Sequence, residues 1–349
     1  MQAVRLPGPG AAVELQEVAY PEPGPGEVVV RIAVCGVCGS DVHFLEGMPV
    51  PGGYPLTLGH EPAGVVESVG PDVVEWAPGD RVALHLGGGC GECGVCRSGH
   101  PMCCPNLVAV GLHVDGGFAE AVLAPTSCLL RVPDGVSLAA AAVATDCVAT
   151  PYHALTCRAG LREGERVVVV GCGGLGSMTV KLAAELGAAE VIAVDRVPEA
   201  LDRARAFGAT QTVLADGDVP SAVRAILGDG ADVSVECVGT AATLSAAILS
   251  LRPGGRAVAL GVGLEPPRVD LPIALFSLWQ LSLVGTFASH PEDLAAVLAM
   301  ERDGRLGIED VISHRVPLAG AADALDMLRT RRDDPVRIVV EANADLART

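Results

Sequence analysis

The chain has 349 residues, half of them hydrophobic, and a formal net charge of −18. That length is too great for one comfortable core and predicts about two domains. The acidic balance disfavours phosphate backbones and anionic lipids, so neither nucleic acid nor a membrane is an expected partner.

No run approaches the roughly 20 apolar residues of a membrane span. The first residues, Met1 to Arg5, lack a signal-peptide pattern, so a cytoplasmic protein is expected. The single lysine, Lys181, falls inside a predicted helix and is a poor candidate for Schiff-base chemistry.

In chain order, residues 1–135 read as mostly β. Apolar runs at 28–34, 63–69 and 81–84 are each flanked by Pro, Gly or Asp. From about residue 164 the pattern changes. A continuous apolar strand at 166–170 precedes a Gly-rich turn and a helix at 175–186. Strands at 190–194, 213–214, 231–237 and 256–260 follow, with a helix at 198–207. Such strands alternating with helices imply a parallel sheet covered on both faces. Helices at 291–302 and 319–330 and a strand at 336–340 complete the chain.

Twelve cysteines are many for a reducing compartment, where clustered thiols point to metal. Cys90, Cys93, Cys96 and Cys104 have the spacing C-x2-C-x2-C-x7-C. Four thiolates close a tetrahedral zinc site with no open position, which is a structural arrangement. Cys103 is an alternative to Cys104 as the fourth ligand. An iron–sulfur cluster uses the same thiolates; the seven-residue gap argues for zinc.

Three further segments carry ligand-type residues: Cys35 to His43, Gly59 to Pro62, and Thr145 to His153. Each alone is weak, since a lone Cys is usually a small buried apolar residue. Together, in this order and with the four-cysteine lobe between the second and third, they resemble the zinc-containing medium-chain alcohol dehydrogenases over essentially the whole chain. The resemblance implies a catalytic zinc held by Cys38, His60 and Asp146, with Cys147 as the competing third ligand. It places Glu61 close to that metal. Asp41 is expected to accept from the other ring nitrogen of His60 and fix its tautomer. Cys35 reads as core.

The strand at 166–170 runs into Gly171-Cys172-Gly173-Gly174-Leu175-Gly176, a G-x-G-x-x-G between strand and helix. Gly171 permits the tight turn, Gly173 lets a pyrophosphate approach the helix N-terminus, and Gly176 lets helix and strand pack closely. Asp195 follows Gly176 by nineteen residues at the end of the next strand. Its carboxylate suits both adenosine ribose hydroxyls and repels a 2′-phosphate, which favours NAD over NADP; Arg196 argues the other way. The resemblance adds cofactor contacts at Cys237, Val238, Gly261, Val262 and Val284.

The resemblance also implies an α/β fold: a GroES-like β-rich catalytic domain from residues 1–149 and 285–349, and a Rossmann doubly wound domain from 150–284. It implies hydride transfer between an alcohol or carbonyl substrate and NAD(H), in a homotetramer or homodimer. Proton relay falls to Ser40 and His43, histidine being the residue type suited to passing protons near neutral pH. Leu86, Leu112, His113, Tyr54 and Phe276 are candidate pocket residues; His85, His100, His153, His290 and His314 are expected to be structural or surface. Two other functions compete: reduction of an activated C=C bond by NAD(P)H in the same fold, and zinc and NAD binding without catalysis.

Overall fold

The computed structural model describes residues 1–347 except 265, 267, 268 and 270. The chain forms two compact units, Met1–Ala149 with Ala288–Thr349, and Thr150–Phe287. The resemblance placed the return to the first unit at 285. Residues 285–287 stay with the second unit because Gly285 pairs with Ala259 and the Thr286 N–H donates to the Ala259 carbonyl at 3.1 Å.

The first unit is organised by one long strand, Glu27–Val37. Its residues are nearly all buried, and β-branched side chains suit such a pleated surface. It pairs antiparallel with Glu61–Val69, Ala121–Pro125 and Arg337–Glu341. Register sets Gly36 opposite Glu61 and Cys35 opposite both Pro62 and Val340. One end of this sheet therefore gathers the segments at 35–38, 60–62 and 337–340. Val30, Ile32, Val66, Leu84, Phe118 and Ile338 are core residues beneath it. A short helix, Leu138–Val143, is capped by the Ser137 hydroxyl accepting from the Ala140 N–H at 3.0 Å. It packs on Glu27–Val37 and Glu61–Val69 and runs on into a wide π-helical turn, Ala144–Val148.

In the second unit, strands β1 (Arg166–Val170), β2 (Glu190–Asp195), β3 (Gln211–Leu214), β4 (Ala231–Glu236), β5 (Leu251–Ala259) and β6 (Ser282–Gly285) form one parallel sheet. Their order is β3-β2-β1-β4-β5-β6. Helices α1 (Gly174–Glu185), α2 (Pro198–Ala206), α3 (Val219–Leu227) and α4 (Ala241–Leu249) connect the first five. Chain direction across the sheet reverses between β1 and β4, which is where open α/β sheets bind ligands. The sheet is parallel, as the alternation of strands and helices predicted, and its strand order is the doubly wound one that the resemblance implied. No helix among the described residues is long and apolar enough to cross a membrane.

Candidate metal and cofactor sites

Cys38 directly follows the long strand and caps the helix Gly39–Leu45. Its backbone N–H donates to Asp41 Oδ2 at 3.0 Å, so Asp41 fixes the turn that aims the thiol. The other Asp41 oxygen lies 3.4 Å from His60 Nδ1, a charge contact without the alignment of a full hydrogen bond. His60 follows Gly59, whose φ of +93° only glycine adopts freely. A Cβ there would sit 2.7 Å from the Phe118 ring and 2.8 Å from Cys35 Sγ. Cys35 is wholly buried. The wide turn supplies Asp146, whose Oδ2 lies 3.5 Å from Cys38 Sγ and 3.8 Å from His60 Nε2.

Ligand atoms of Cys38, His60, Glu61 and Asp146 all fall within 4.8 Å of one another. A tetrahedral zinc with thiolate, imidazole and carboxylate ligands has ligand–ligand separations of about 3.3–3.8 Å. The residues therefore fit the ion. Their electrostatics fit it too. Burial alone would lower the His60 pKa, but Asp41, Asp146 and Cys38 outweigh it and hold the ring well above its usual value. Burial pushes Glu61 up to about 7 against the opposing pull of Arg337, with Asp146 adding to the rise. Glu61 Oε2 has no hydrogen-bond partner. Anionic donors crowded around a nearly sealed centre call for a cation.

Asp146, and not Cys147, joins this group. Cys147 is fully buried, and burial pushes its thiol up to about 12 with Arg337 opposing. Successive residues on a helical turn point roughly 100° apart, so one of the pair must turn away. Arg337 was not singled out from the sequence. It donates to Glu61 Oε1 at 3.1 Å and to the Val37 carbonyl at 2.8 Å and is 4% exposed. The only hint was a basic residue opening an apolar strand near the end of the chain.

Ser40 Oγ stands 3.5 Å from Cys38 Sγ. His43, one turn on, is half-buried, with Nδ1 3.9 Å from Glu46 Oε2. Leu86 is buried with Met102, Ala109 and Ala288, and Leu112 packs beside it. Tyr54 packs on the core of the first unit, and its hydroxyl, like His113 Nδ1, is buried without a partner. Phe276 lies in the second unit, against the cluster of Leu244 and Ile248. His85 is buried, its ring nitrogens 2.8 Å from the Gly87 carbonyl and 2.9 Å from that of Ser289. His290 caps the helix Pro291–Arg302. His100 is exposed, His314 is half-buried beside Ser313, and His153 is buried.

The second cluster is local. Cys104 Sγ is 3.8 Å from Cys93 Sγ and 3.6 Å from Cys90 Sγ, and the four thiols with Cys96 lie within 4.8 Å. Zinc–thiolate bonds of 2.3 Å predict edges of about 3.8 Å. Cys104 is the fourth member; Cys103 is exposed and outside the group. Backbone N–H groups point at the sulfurs: Cys90 and Asn106 donate to Cys104 Sγ, and Cys96 to Cys93 Sγ, at 3.3–3.4 Å. N–H donors from Glu92 and Cys93 hold the Cys90 thiol down to about 6.

In the second unit, Gly171 has φ +91°, and a Cβ on it would meet Val238 Cγ2 at 2.4 Å. A Cβ on Gly176 would lie 1.8 Å from the Gly171 carbonyl oxygen, so helix and strand touch there. A Cβ on Gly173, which caps α1, would meet nothing. Gly173 borders open space at a helix N-terminus, as a phosphate cradle requires. Gly174 and Leu175 open α1. Asp195 bridges two turns, accepting from the Cys172 N–H at 2.7 Å and the Val197 N–H at 2.9 Å. Arg196 is exposed. Cys237 is half-buried beside Thr179; Val238 and Val262 are exposed apolar residues. Gly261 follows β5, and Val284 lies on the edge strand β6 opposite Val258.

Residues 24–134 match the alcohol dehydrogenase GroES-like domain, and residues 174–302 the zinc-binding dehydrogenase domain. An alcohol dehydrogenase of Geobacillus stearothermophilus is 34% identical, covering 90% of this chain and 92% of its own. Sorbitol dehydrogenase of Gallus gallus is 31% identical, covering 95% and 94%. The solved structure of alcohol dehydrogenase TADH from Thermus sp. ATN1 superposes with a TM-score of 0.90 at 32% identity, over 98% of this chain and 100% of that one. Matched over nearly its full length, this chain belongs to the family of zinc-binding alcohol dehydrogenases.

Proposed function

We propose that this protein transfers a hydride between an alcohol, or the corresponding aldehyde or ketone, and NAD(H). The observation that carries the reading is the meeting of Cys38, His60 and Asp146, drawn from three distant segments, at zinc-like separations. When bound there, zinc supplies a Lewis acid that eases proton loss from a substrate oxygen, and NAD supplies the hydride acceptor.

The protein's own groups do the rest. Asp41 holds both the Cys38 turn and the His60 ring, so two ligands share one support. Ser40, against Cys38, takes the substrate's proton, and His43 passes it toward solvent. Leu86 and Leu112 give the pocket an aliphatic wall. Cys90, Cys93, Cys96 and Cys104 hold a second, structural zinc. The glycine turn from Gly171 to Gly176 receives the pyrophosphate. Asp195 spends one lone pair of each oxygen on the backbone and keeps others for ribose hydroxyls. Its charge opposes a 2′-phosphate, so NAD is preferred to NADP despite Arg196. The protein acts on a small alcohol or polyol, as a homodimer or homotetramer in the cytoplasm.

Nothing in the site favours C=C reduction or binding without catalysis. The test is NAD+ reduction over a panel of primary, secondary and polyhydric alcohols, with NADP+ in parallel and zinc counted per chain. Turnover with NAD+ and about two zinc ions is expected. One tightly bound zinc, or no hydride transfer with any alcohol or ketone, would overturn the reading.

A further inference from the structure

Glu236 ends β4 and is 1% exposed. Three donors converge on one of its carboxylate oxygens. They are the N–H of Val238 at 2.7 Å, the N–H of Gly239 at 2.8 Å, and the Thr243 hydroxyl at 2.8 Å in the first turn of α4. Its backbone carbonyl accepts from the N–H groups of Leu260 and Gly261, both at 2.9 Å. A carboxylate withdrawn from water is costly unless its hydrogen bonds are strong and fixed. Here they lock the loop after β4 to the start of α4.

That loop in turn holds two others. The Val238 side chain occupies the space a Cβ on Gly171 would need, at 2.4 Å. A Cβ on Gly261 would lie 2.3 Å from Gly239 N, and one on Gly263 1.8 Å from the Gly239 carbonyl oxygen. The loops at the carboxyl ends of β1, β4 and β5 therefore touch through Val238 and Gly239. A groove of about 200 Å³ opens beside them, lined by Glu236, Gly239, Thr240, Ala259, Gly261 and Gly263. Ligands of open parallel sheets lie across such strand ends.

We infer that Glu236 is a positioning residue for the dinucleotide. Acting through Val238 and Gly239, it sets the glycine turn and the 261–263 loop as one platform. This rests on the reading that the second unit binds NAD(H). Glutamine keeps an acceptor oxygen at the same place; alanine removes it.

The test is NADH binding by fluorescence titration of the intact protein and its Glu236→Gln, Glu236→Ala and Thr243→Val variants, with KM for NAD+ and kcat alongside. Glu236→Ala should bind NADH at least about tenfold more weakly, as expected for losing hydrogen bonds to a charged group. Thr243→Val should lose about threefold, and Glu236→Gln should remain within about threefold of the parent. The loss should fall on KM for NAD+ and leave KM for the alcohol unchanged. Parent-like NADH affinity in folded Glu236→Ala would overturn the inference, as would a Glu236→Gln variant as weak as the alanine. Should the alanine variant not fold, parent-like affinity in Thr243→Val would overturn it. A parent protein that binds no NADH would instead sink the dinucleotide reading itself.

Discussion

The four thiols of Cys90, Cys93, Cys96 and Cys104 come from fifteen consecutive residues and sit on a lobe where Cys90 is exposed and Cys93 and Cys96 are half-buried. Cys38, His60 and Asp146 come from segments up to 108 residues apart, and their side chains are between 4% and 14% exposed. The lobe is held by its own backbone N–H groups pointing at sulfur. The buried centre is held by the sheet: register brings Gly36 against Glu61 on one edge of the long strand, and Arg337–Glu341 pairs along its other edge, from which the Arg337 side chain reaches Glu61. A local site depends on short-range chain geometry, whereas a dispersed one depends on the packed core and on every charge sealed inside it.

The sharpest break in this comparison is Asp146→Asn. It keeps the shape of the side chain but removes a negative charge from the proposed ligand set of the buried centre. The kcat/KM for alcohol oxidation should fall at least about a thousandfold, roughly 4 kcal/mol of transition-state stabilisation. Zinc should fall from about two to about one per chain, with the circular dichroism unchanged. Retained turnover would show that the convergence at Asp146 is incidental.

Arg337→Met asks whether the buried centre depends on its long-range partner. The substitution leaves Glu61 fully buried without its guanidinium partner. Breaking one side of a buried pair costs about 3–5 kcal/mol. The urea midpoint should move down accordingly. A loss under about 1 kcal/mol would mean that Glu61 finds another partner.

Cys104→Ser makes the matching cut in the lobe. One zinc should leave under mild chelation, at a stability cost on the order of 3 kcal/mol. Cys103→Ser, one residue away but exposed, should change stability by less than about 0.5 kcal/mol. Equal effects from the two would erase the distinction drawn between them.

The same contrast explains what could be read from the sequence. The lobe was legible because three-residue spacing is a local geometric statement; only the choice of Cys103 or Cys104 needed coordinates. The parallel sheet was legible because continuous apolar strands alternate with helices, and the Gly171–Gly176 turn lies between one of each. Helices α3 and α4 and the edge strand β6 were passed over, although α3 is as long as α2 and buries Val219, Val223 and Leu227 at a helical spacing. At the buried centre, Cys38 and His60 stood out only in company. Arg337 was invisible because its partner lies 276 residues away and no periodicity links them. Glu236 was hidden for a different reason: a carboxylate closing an apolar strand looks like a solvated end until Val238, Gly239 and Thr243 fold back onto it.

Cys147→Ala is the most discriminating step, because sequence alone left Asp146 and Cys147 in competition. The thiol is buried against Arg337 and does not belong to the ligand group. Its removal deletes one sulfur from a packed site and takes a polar neighbour from the guanidinium. A cost of about 1–2 kcal/mol follows from the small cavity. Activity should stay within about threefold of the parent, and the zinc count should not change. If instead Cys147→Ala loses zinc and turnover while Asp146→Asn keeps them, the two neighbours must exchange roles, and the wide turn at Ala144–Val148 must rotate by about one residue when the metal binds.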